Sequence, residues 1–437
     1  MQISATPLAS GILRPRLWLP PTVALPVDVP RDHVETHPIE AAAAIGLAVV
    51  AGLEATGGLA ALPGLPPPQA TSAYLTLEGQ PSPLTAVIRT HFNQWDANQD
   101  HVLTAPEITR ALQDPKNHGD AGTALAVLHH LEVTGHDTIR FTPDMLAKYE
   151  KGYAAGDNTQ WDALYSEYGG NQEWMASHPG LFRPGGPQML DVTQGDLGDC
   201  WLDSMLGDYA RLHPEAVQQM IQTHPDGSYT VTFPGHLMPV QVRPLTDGEK
   251  ALYSSGHPNG EWQLVLEKAA GQVKPWGAPA WPGTRTAFDK LDQGGFMAEY
   301  TIQLLTGHGS NVYFLNSAGV ESVPLLYDGF SRIATGAPVS AHSAEGQVAK
   351  VRTLLTQAEA DHKLVAASTP QKNALFNLPD SHYEAFIHYD PLTDQVTIWN
   401  QWQDEPSDSH KTMLHDGEYT MSLADFCQGF QRLTIEK

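Results

Sequence analysis

The sequence has few cysteines and few positive charges, and each deficit excludes a class of protein. Only 2 Cys occur among 437 residues, too few for a disulfide framework, and they lack the spacing of a zinc site. Lys and Arg number 25 against 49 Asp and Glu, which gives a formal net charge of −24. Because nucleic acids and anionic membrane surfaces attract positive patches, we expect neither as a partner.

Long apolar runs are also missing. The most apolar stretch, residues 41–53, is flanked by Glu40 and Glu54 and is shorter than the ~20 residues that a membrane-crossing helix needs. Prolines interrupt the apolar N-terminal segment, unlike the unbroken core of a signal peptide. We therefore expect a soluble chain without membrane insertion, and the cytoplasm is favoured as its compartment. The oligomeric state stays open.

Composition divides the chain into three parts. Residues 1–83 are rich in Pro and Ala, which is typical of a leader or linker. Residues 84–155 have helical periodicity, and residues 160–437 alternate between helix-like and strand-like patterns. The sequence therefore predicts a small all-α domain followed by a larger α+β domain.

The all-α part contains a loop suited to a hard cation. Oxygen ligands recur at the spacing of a twelve-residue calcium loop, with side chains of Asp96, Asn98, Asp100, Thr104 and Glu107 and the backbone carbonyl of Val102. This loop resembles an EF-hand, so we expect Ca2+ as a ligand. His101 occupies the position where Gly normally makes the turn, at a cost of ~1 kcal/mol. The alternative is a chance acidic turn at a helix end.

EF-hands pair, and a second hand is expected to follow. Leu103 would pair with Ile139 between the two loops. In that register Pro143 occupies the last ligand position, where a bidentate carboxylate is required. The second hand is therefore predicted to be structural and empty.

The strongest chemical signal is the segment 194–202, QGDLGDCWL. Two glycines precede Cys200, and a helix is predicted to begin there. The positive end of a helix dipole lowers a thiol pKa and favours the nucleophilic thiolate. Gln194 could donate an amide hydrogen to a developing oxyanion. The alternative for any Cys is a small buried hydrophobe, which is our interpretation of Cys427.

A hairpin supplies the candidate base. Residues 381–389 and 395–402 are strand-like runs on either side of a turn. If His388 pairs with Val396, His382 lies opposite Trp402 with Asn400 as its diagonal neighbour. An imidazole beside a carboxamide and under an indole is held in one tautomer, whereas His388 is expected to be structural.

These segments resemble the calpain family of papain-like cysteine proteases. Segment 194–202 is similar to the family's Cys box, His382 and Asn400-x-Trp402 to its His and Asn boxes, and 262–270 and 416–426 to two further stretches. The resemblance covers roughly residues 180–437. It implies a two-lobed papain-like α+β protease domain, here preceded by the EF-hand pair.

The resemblance also implies an activity and its residues. Cys200 would be the nucleophile, His382 the general base and acid, Asn400 the residue that orients it, and Gln194 the oxyanion donor. Residues of the cleft or its shielding would be Trp402, Gly307 and Trp201. The implied function is a calcium-dependent cysteine endopeptidase that acts on protein or peptide substrates.

Three departures from the family pattern keep other functions open. Ser381 stands where the family has Gly, Glu384 could compete for the His382 imidazole, and Gln401 replaces the Pro of Asn-Pro-Trp. One alternative is therefore a catalytically silenced calcium-binding interaction protein. Another is a transglutaminase-like acyl transferase, which uses the same nucleophile.

Overall fold

A computed structural model describes ten segments of the chain. They are residues 81–135, 140–156, 159–255, 260–273, 286–292, 298–315, 334–336, 344–371, 375–403 and 410–437. All belong to one compact unit, Ala73–Lys437. Nearly all of the predicted leader and the 41–53 run lie outside the described residues.

The first four helices form two helix–loop–helix units. They are α1 (Pro83–Trp95), α2 (Ala105–Leu112), α3 (Asp120–Thr134) and α4 (Pro143–Ala154). The Ser82 hydroxyl caps α1 by accepting a hydrogen bond from the Thr85 N–H, and Thr142 caps α4 in the same way. Three of the four begin with Pro in the first turn, where a missing N–H costs nothing. Helix α4 ends at Ala154, and the next helix begins at Gln160.

Helices and a small sheet follow. The helices are α5 (Gln160–Ser177), α6 (Cys200–Leu212), α7 (Pro214–Met220), α8 (Asp247–Tyr253), α9 (Trp262–Val273) and α10 (Ala298–Thr306). The strands β1 (Ile221–Thr223), β2 (Tyr229–Val231) and β3 (Val240–Val242) form an antiparallel sheet in sequence order. Helix α3 packs against both α5 and α8, so the N-terminal helices share a core with the helices after them.

The C-terminal part is built on an eight-stranded sheet. Its elements are β4 (Ser310–Phe314), β5 (Ala334–Gly336), α11 (Ala344–Ala360), β6 (Val365–Ser368), β7 (Tyr383–Asp390), β8 (Gln395–Trp399), β9 (Lys411–His415), β10 (Glu418–Ser422), α12 (Leu423–Gly429) and β11 (Arg432–Glu436). The strand order is β5-β4-β11-β6-β7-β8-β10-β9. All neighbours are antiparallel except β4 and β5.

The predicted hairpin is β7–β8, and its register is partly as expected. Ala385 pairs with Trp399 and Phe386 with Ile398, which is the register that places residues 382 and 402 opposite each other. A shift follows Phe386, so the partner of Val396 is Tyr389 rather than His388. The prediction is therefore right at the end that carries His382 and wrong by one residue at the turn.

The sheet separates two hydrophobic cores. Side chains alternate along β7, with Tyr383 and Ala385 in the core formed with the helices and Phe386 in the core under α11 and α12. Helix α6 lies on the first face, and its Gly207 lets the Trp399 ring approach the helix backbone. This packing brings the beginning of α6 to the beginning of β7.

A mixed α+β architecture with two sheets is compatible with the predicted two-lobed protease domain. Across the described segments, every helix is too short or too polar to cross a membrane.

Candidate functional site

Cys200 is the first residue of a buried helix. Helix α6 begins there, as predicted, and the Cys200 side chain is almost completely buried. The preceding turn is held by Asp292, whose carboxylate accepts a hydrogen bond from the Gly198 N–H at 2.8 Å. The sulfur is therefore presented at a fixed position, beside the start of β7.

Burial dominates the ionisation of Cys200. Loss of hydration raises the pKa of its thiol to about 12, and the neighbouring Asp199 and Asp203 carboxylates act in the same direction. Backbone N–H groups of Tyr383 and Trp201 favour the thiolate but offset only part of this. The prediction of a lowered thiol pKa is therefore wrong for this arrangement.

Three buried carboxyl groups lie close to the cysteine. Oxygens of Asp199, Asp203 and Glu267 are all within 4.8 Å of one another. Burial, with the neighbouring carboxylates, raises the pKa of Asp203 well above its usual range, and burial raises that of Glu267 to about 7. Gln263 donates a hydrogen bond to Glu267 at 2.7 Å. The raised pKa values favour protonated carboxyl groups, which limits the negative charge near the sulfur. The amide of Gln263 stabilises the cluster by a hydrogen bond.

His382 is placed by backbone contacts with the residue that follows β6. Its N–H donates to the Thr369 hydroxyl at 2.9 Å, and its carbonyl accepts from the Thr369 N–H at 2.9 Å. The preceding residue, Ser381, has a φ of 51°, in the left-handed region where Gly is least strained. The chain therefore turns sharply just before the imidazole.

His382 contacts both of its predicted partners. Its Nε2 lies 3.0 Å from Asn400 Oδ1, which also accepts the Trp402 N–H at 3.1 Å. The Trp402 ring covers the imidazole, with ring centroids 4.1 Å apart. Burial lowers the pKa of His382 to about 4, against the hydrogen bond to Asn400. The structure thus brings together the imidazole, carboxamide and indole that the hairpin predicts.

Among the described contacts, the thiol is hydrogen-bonded to the residue after His382 and not to the imidazole. The Tyr383 N–H, one residue after His382, lies at the sulfur of Cys200. Among described residues, the Nδ1 atom of His382 has no hydrogen-bond partner. Both pKa shifts favour the uncharged forms of the two groups.

Gln194 is held by a residue that the sequence analysis did not select. Its Nε2 donates to the Leu197 carbonyl at 2.6 Å, and its Oε1 accepts from Gln401 Nε2 at 3.1 Å. Its backbone N–H donates to the Gln401 carbonyl at 3.1 Å. The signal that could have identified Gln401 was the replacement of Pro between Asn400 and Trp402.

Gln403 ties the same turn to the segment before Gln194. Its Nε2 lies within hydrogen-bond distance of three oxygens, the carbonyls of Leu190 and Val192 and the hydroxyl of Thr193. Hydrogen bonds therefore hold residues 400–403 beside residues 190–194.

Glu384 does not approach the imidazole, which corrects the expectation of competition. It points to the opposite face of β7, where its carboxylate accepts a hydrogen bond from the Tyr419 hydroxyl. Burial raises the pKa of Glu384 to about 7, and Lys411 opposes this shift. Along β7, Glu384 and Phe386 face the second core, whereas Tyr383 and Ala385 face the first.

Trp201 and Gly307 were predicted to line or shield the cleft, and that role stays a prediction. Trp201 is buried in the core, where its carbonyl accepts a hydrogen bond from Thr301. Gly307 ends α10 with a φ of 78°, and a side chain there would first meet Pro234.

The Asp96 loop is held together by its own side chains. His101 has a positive φ, as predicted for position six, and so has Gln99. The Glu107 carboxylate accepts the N–H groups of Ala97 and Thr104 at 2.9 and 3.0 Å, which joins the two ends of the loop. Asp96 Oδ1 is buried without a hydrogen-bond partner among the described residues. A buried carboxylate oxygen without a partner is compatible with a cation at this loop.

The second loop is paired with the first through a different residue from the one predicted. Leu103 and Phe141 form the antiparallel bridge, with the Leu103 N–H donating to the Phe141 carbonyl at 2.9 Å. Ile139 lies outside the described residues. Moving the register by two residues changes the expected positions, and Met145 then replaces Pro143 at the last ligand position.

Helix α3 contacts the loop that precedes Cys200. His130 Nδ1 lies 2.8 Å from the Tyr168 hydroxyl, which donates to Asp196 Oδ2 at 2.9 Å. The adjacent His129 Nε2 lies 3.0 Å from the Asp289 carboxylate. The all-α region therefore reaches the candidate site through hydrogen bonds.

The fold and the site are compatible with a cysteine protease domain. No protein-family model matches the chain. The chain is similar to Calpain-8 of Mus musculus, with 24% identity over 279 residues, which cover 60% of this chain. The chain spans 37% of the length of that relative. This distant similarity suggests a calpain-like cysteine protease at the family level and gives weak support to calpain membership.

Proposed function

We propose that the protein is a calpain-type cysteine endopeptidase, with Cys200 as nucleophile, His382 as base and acid, and Asn400 as the residue that orients His382. The observation that carries the proposal is the His382–Asn400 contact under Trp402, at the start of the strand that meets Cys200. Thiol acyl transfer needs an oriented base near the thiol, and this contact supports His382 as that base.

The reaction follows from the free atoms at the site. The thiol proton moves to His382 Nδ1 while Nε2 stays on Asn400, and the sulfur attacks the peptide carbonyl carbon. The Cys200 N–H and a Gln194 Nε2 hydrogen stabilise the oxyanion. His382 then protonates the leaving amine as the C–N bond breaks. Water, deprotonated by His382, cleaves the thioester and releases the acid.

Water or substrate must enter the buried site before Cys200 can react. With the thiol pKa raised to about 12 and the imidazole pKa lowered to about 4, each group by itself resists ionisation. Attraction between the charges of a thiolate–imidazolium pair, and substrate dipoles, must offset this cost. We therefore expect the resting pair to be neutral at pH 7.

Substitution of the two cysteines tests the protease proposal. Cys200→Ala should abolish casein cleavage and labelling by a thiol-reactive probe. Cys427→Ala is the matched control, because Cys427 lies buried in α12 in the other core, and it should retain both. Casein cleavage that persists in Cys200→Ala would disprove the proposal.

Calcium binding at the Asp96 loop is the second part of the proposal. The loop residues named from the sequence would hold the ion, with Glu107 turning from its loop hydrogen bonds to offer both oxygens. Bound calcium would supply positive charge that neutralises the loop carboxylates. Calorimetric titration with calcium chloride should show binding that Glu107→Gln weakens. Equal affinity of the two proteins would contradict this site, and protease assays with and without chelator would test calcium dependence.

A non-catalytic calcium-binding protein is the second candidate. The burial of Cys200 and His382, with both pKa values shifted toward neutral forms, favours it. It predicts that calcium still binds while Cys200 resists alkylation at neutral pH, even with a peptide substrate present. Alkylation of Cys200 under those conditions would exclude it.

A further inference from the structure

The side chain of Gln401 fills the space between Gln194 and His382. It is completely buried. Its Nε2 donates to Gln194 Oε1 at 3.1 Å and to the Tyr383 carbonyl at 3.0 Å, and it lies 3.3 Å from His382 Nε2. Both amide hydrogens are therefore used on oxygen acceptors, and the third contact is a close approach without a hydrogen bond.

The Gln401 carboxamide acts as a donor alone. Its Oε1 is buried and has no hydrogen-bond partner among the described residues. A buried carbonyl without a partner lowers stability, and an apolar residue of similar shape would avoid that loss. The arrangement therefore makes use of the N–H groups of Gln401 and not of its oxygen.

These contacts leave only one orientation for the Gln194 amide. If it were rotated by half a turn, its oxygen would face the Leu197 carbonyl and its nitrogen would face Gln401 Nε2. Rotating both amides together would instead place Gln401 Oε1 against the Tyr383 carbonyl. Each amide oxygen would then face a carbonyl oxygen, that of Leu197 for Gln194 and that of Tyr383 for Gln401. The observed orientation is therefore the one that avoids these repulsions.

We propose that Gln401 is a positioning residue that locks the Gln194 carboxamide with its nitrogen toward the oxyanion site. One Nε2 hydrogen of Gln194 is used on Leu197, which leaves the other for the substrate oxygen. This inference rests on the proposed protease function. It assigns a role to the position where the family resemblance has Pro, which carries no side-chain donor.

Two probes separate oxyanion stabilisation from general integrity of the site. A peptide aldehyde adds the Cys200 sulfur to its carbonyl carbon, and the thiol proton is transferred to the new oxygen or to His382. That oxygen occupies the oxyanion site. Iodoacetamide instead transfers its carboxamidomethyl group to the sulfur and releases iodide, with no oxyanion. Only the first reaction depends on the orientation of Gln194.

Gln401→Met keeps the shape of the side chain and removes its donors. We expect it to weaken aldehyde binding and lower kcat by about tenfold, less than the loss of a whole oxyanion donor because Leu197 still orients Gln194, with KM and the alkylation rate of Cys200 changed by less than about twofold. Gln403→Met is the matched control. It also loses contacts between the two segments but does not touch the Gln194 carboxamide, so any loss should be equal for both probes.

The results that would overturn the proposal are distinct from failure of the protease function. Unchanged aldehyde binding in Gln401→Met, or equal losses for both probes, would refute the positioning role while wild-type activity stands. Wild-type protein that reacts with neither probe would refute the protease function and this inference together. A selective loss of aldehyde binding in Gln401→Met alone would support it.

Discussion

Gly207 is the position where one methyl group should most clearly disturb the site. A Cβ added there would lie 2.3 and 2.5 Å from two carbons of the Trp399 ring, far inside van der Waals contact. The ring has little freedom to move, because it is completely buried and its Nε1 donates to the Asp416 carbonyl at 3.2 Å. Helix α6 would therefore have to move away from β8.

The expected cost follows from two opposing effects. Overpacking in a dense core costs ~1–3 kcal/mol, and replacing Gly by Ala inside a helix returns ~1 kcal/mol. Gly207→Ala should therefore lower the free energy of unfolding by up to ~2 kcal/mol. Displacement of α6 would also separate Cys200 from His382, and a shift of ~1 Å can lower catalytic rates ~100-fold.

Gly170→Ala is the matched control, because Gly170 lies inside α5 with nothing within 4 Å of its added Cβ. It should raise the free energy of unfolding by ~1 kcal/mol. Urea unfolding followed by tryptophan fluorescence measures both variants, and kcat/KM reports the site. If Gly207→Ala gained as much stability as Gly170→Ala, the proposed packing of α6 on Trp399 would be wrong.

Three further predictions concern the strand that carries His382. Ser381→Gly should raise the free energy of unfolding by ~0.5–1 kcal/mol by relieving the positive φ, and a loss of stability in urea would contradict this. Trp402→Ala should let water reach the imidazole and raise the pKa of His382 from about 4 toward its usual range. NMR titration measures this pKa, and an unchanged value would show that the indole does not shield the imidazole from water. Because burial raises the folded-state pKa of Glu384 from 4.5 to about 7, the folded protein binds that proton more tightly and its stability should fall by up to ~3 kcal/mol as pH rises through this interval. Glu384→Gln should remove that part of the pH dependence, and equal changes in urea midpoint between pH 5 and pH 8 in both proteins would refute it.

Local signals in the sequence were the most reliable. The two glycines before Cys200 predict a turn and then a helix, and α6 begins at that residue. The register at the His382 end of the hairpin follows from the alternation of the strands, and it brings the imidazole to Asn400. Positive φ at His101 follows from its place in the loop. In each case neighbours in the chain determine the geometry.

The predictions were wrong where contacts between residues distant in the sequence determine the structure. The pKa of the Cys200 thiol was expected to fall because of the helix dipole, a local effect, but burial raises it. Ile139 was chosen as the partner of Leu103 by counting from one loop to the next, whereas Phe141 forms the bridge. The face to which Glu384 points could not be chosen before the strand was placed between two cores.

The identity and order of the candidate reactive groups were therefore determined by the amino-acid sequence alone, since they depend on residue type and short spacing. The burial that shifts the pKa values of Cys200 and His382, and the contact between Gln401 and Gln194, were decided only by the tertiary structure. Packing of the sheet on α6 removes water from these groups and brings together residues about two hundred positions apart. No local pattern in the sequence predicts either effect.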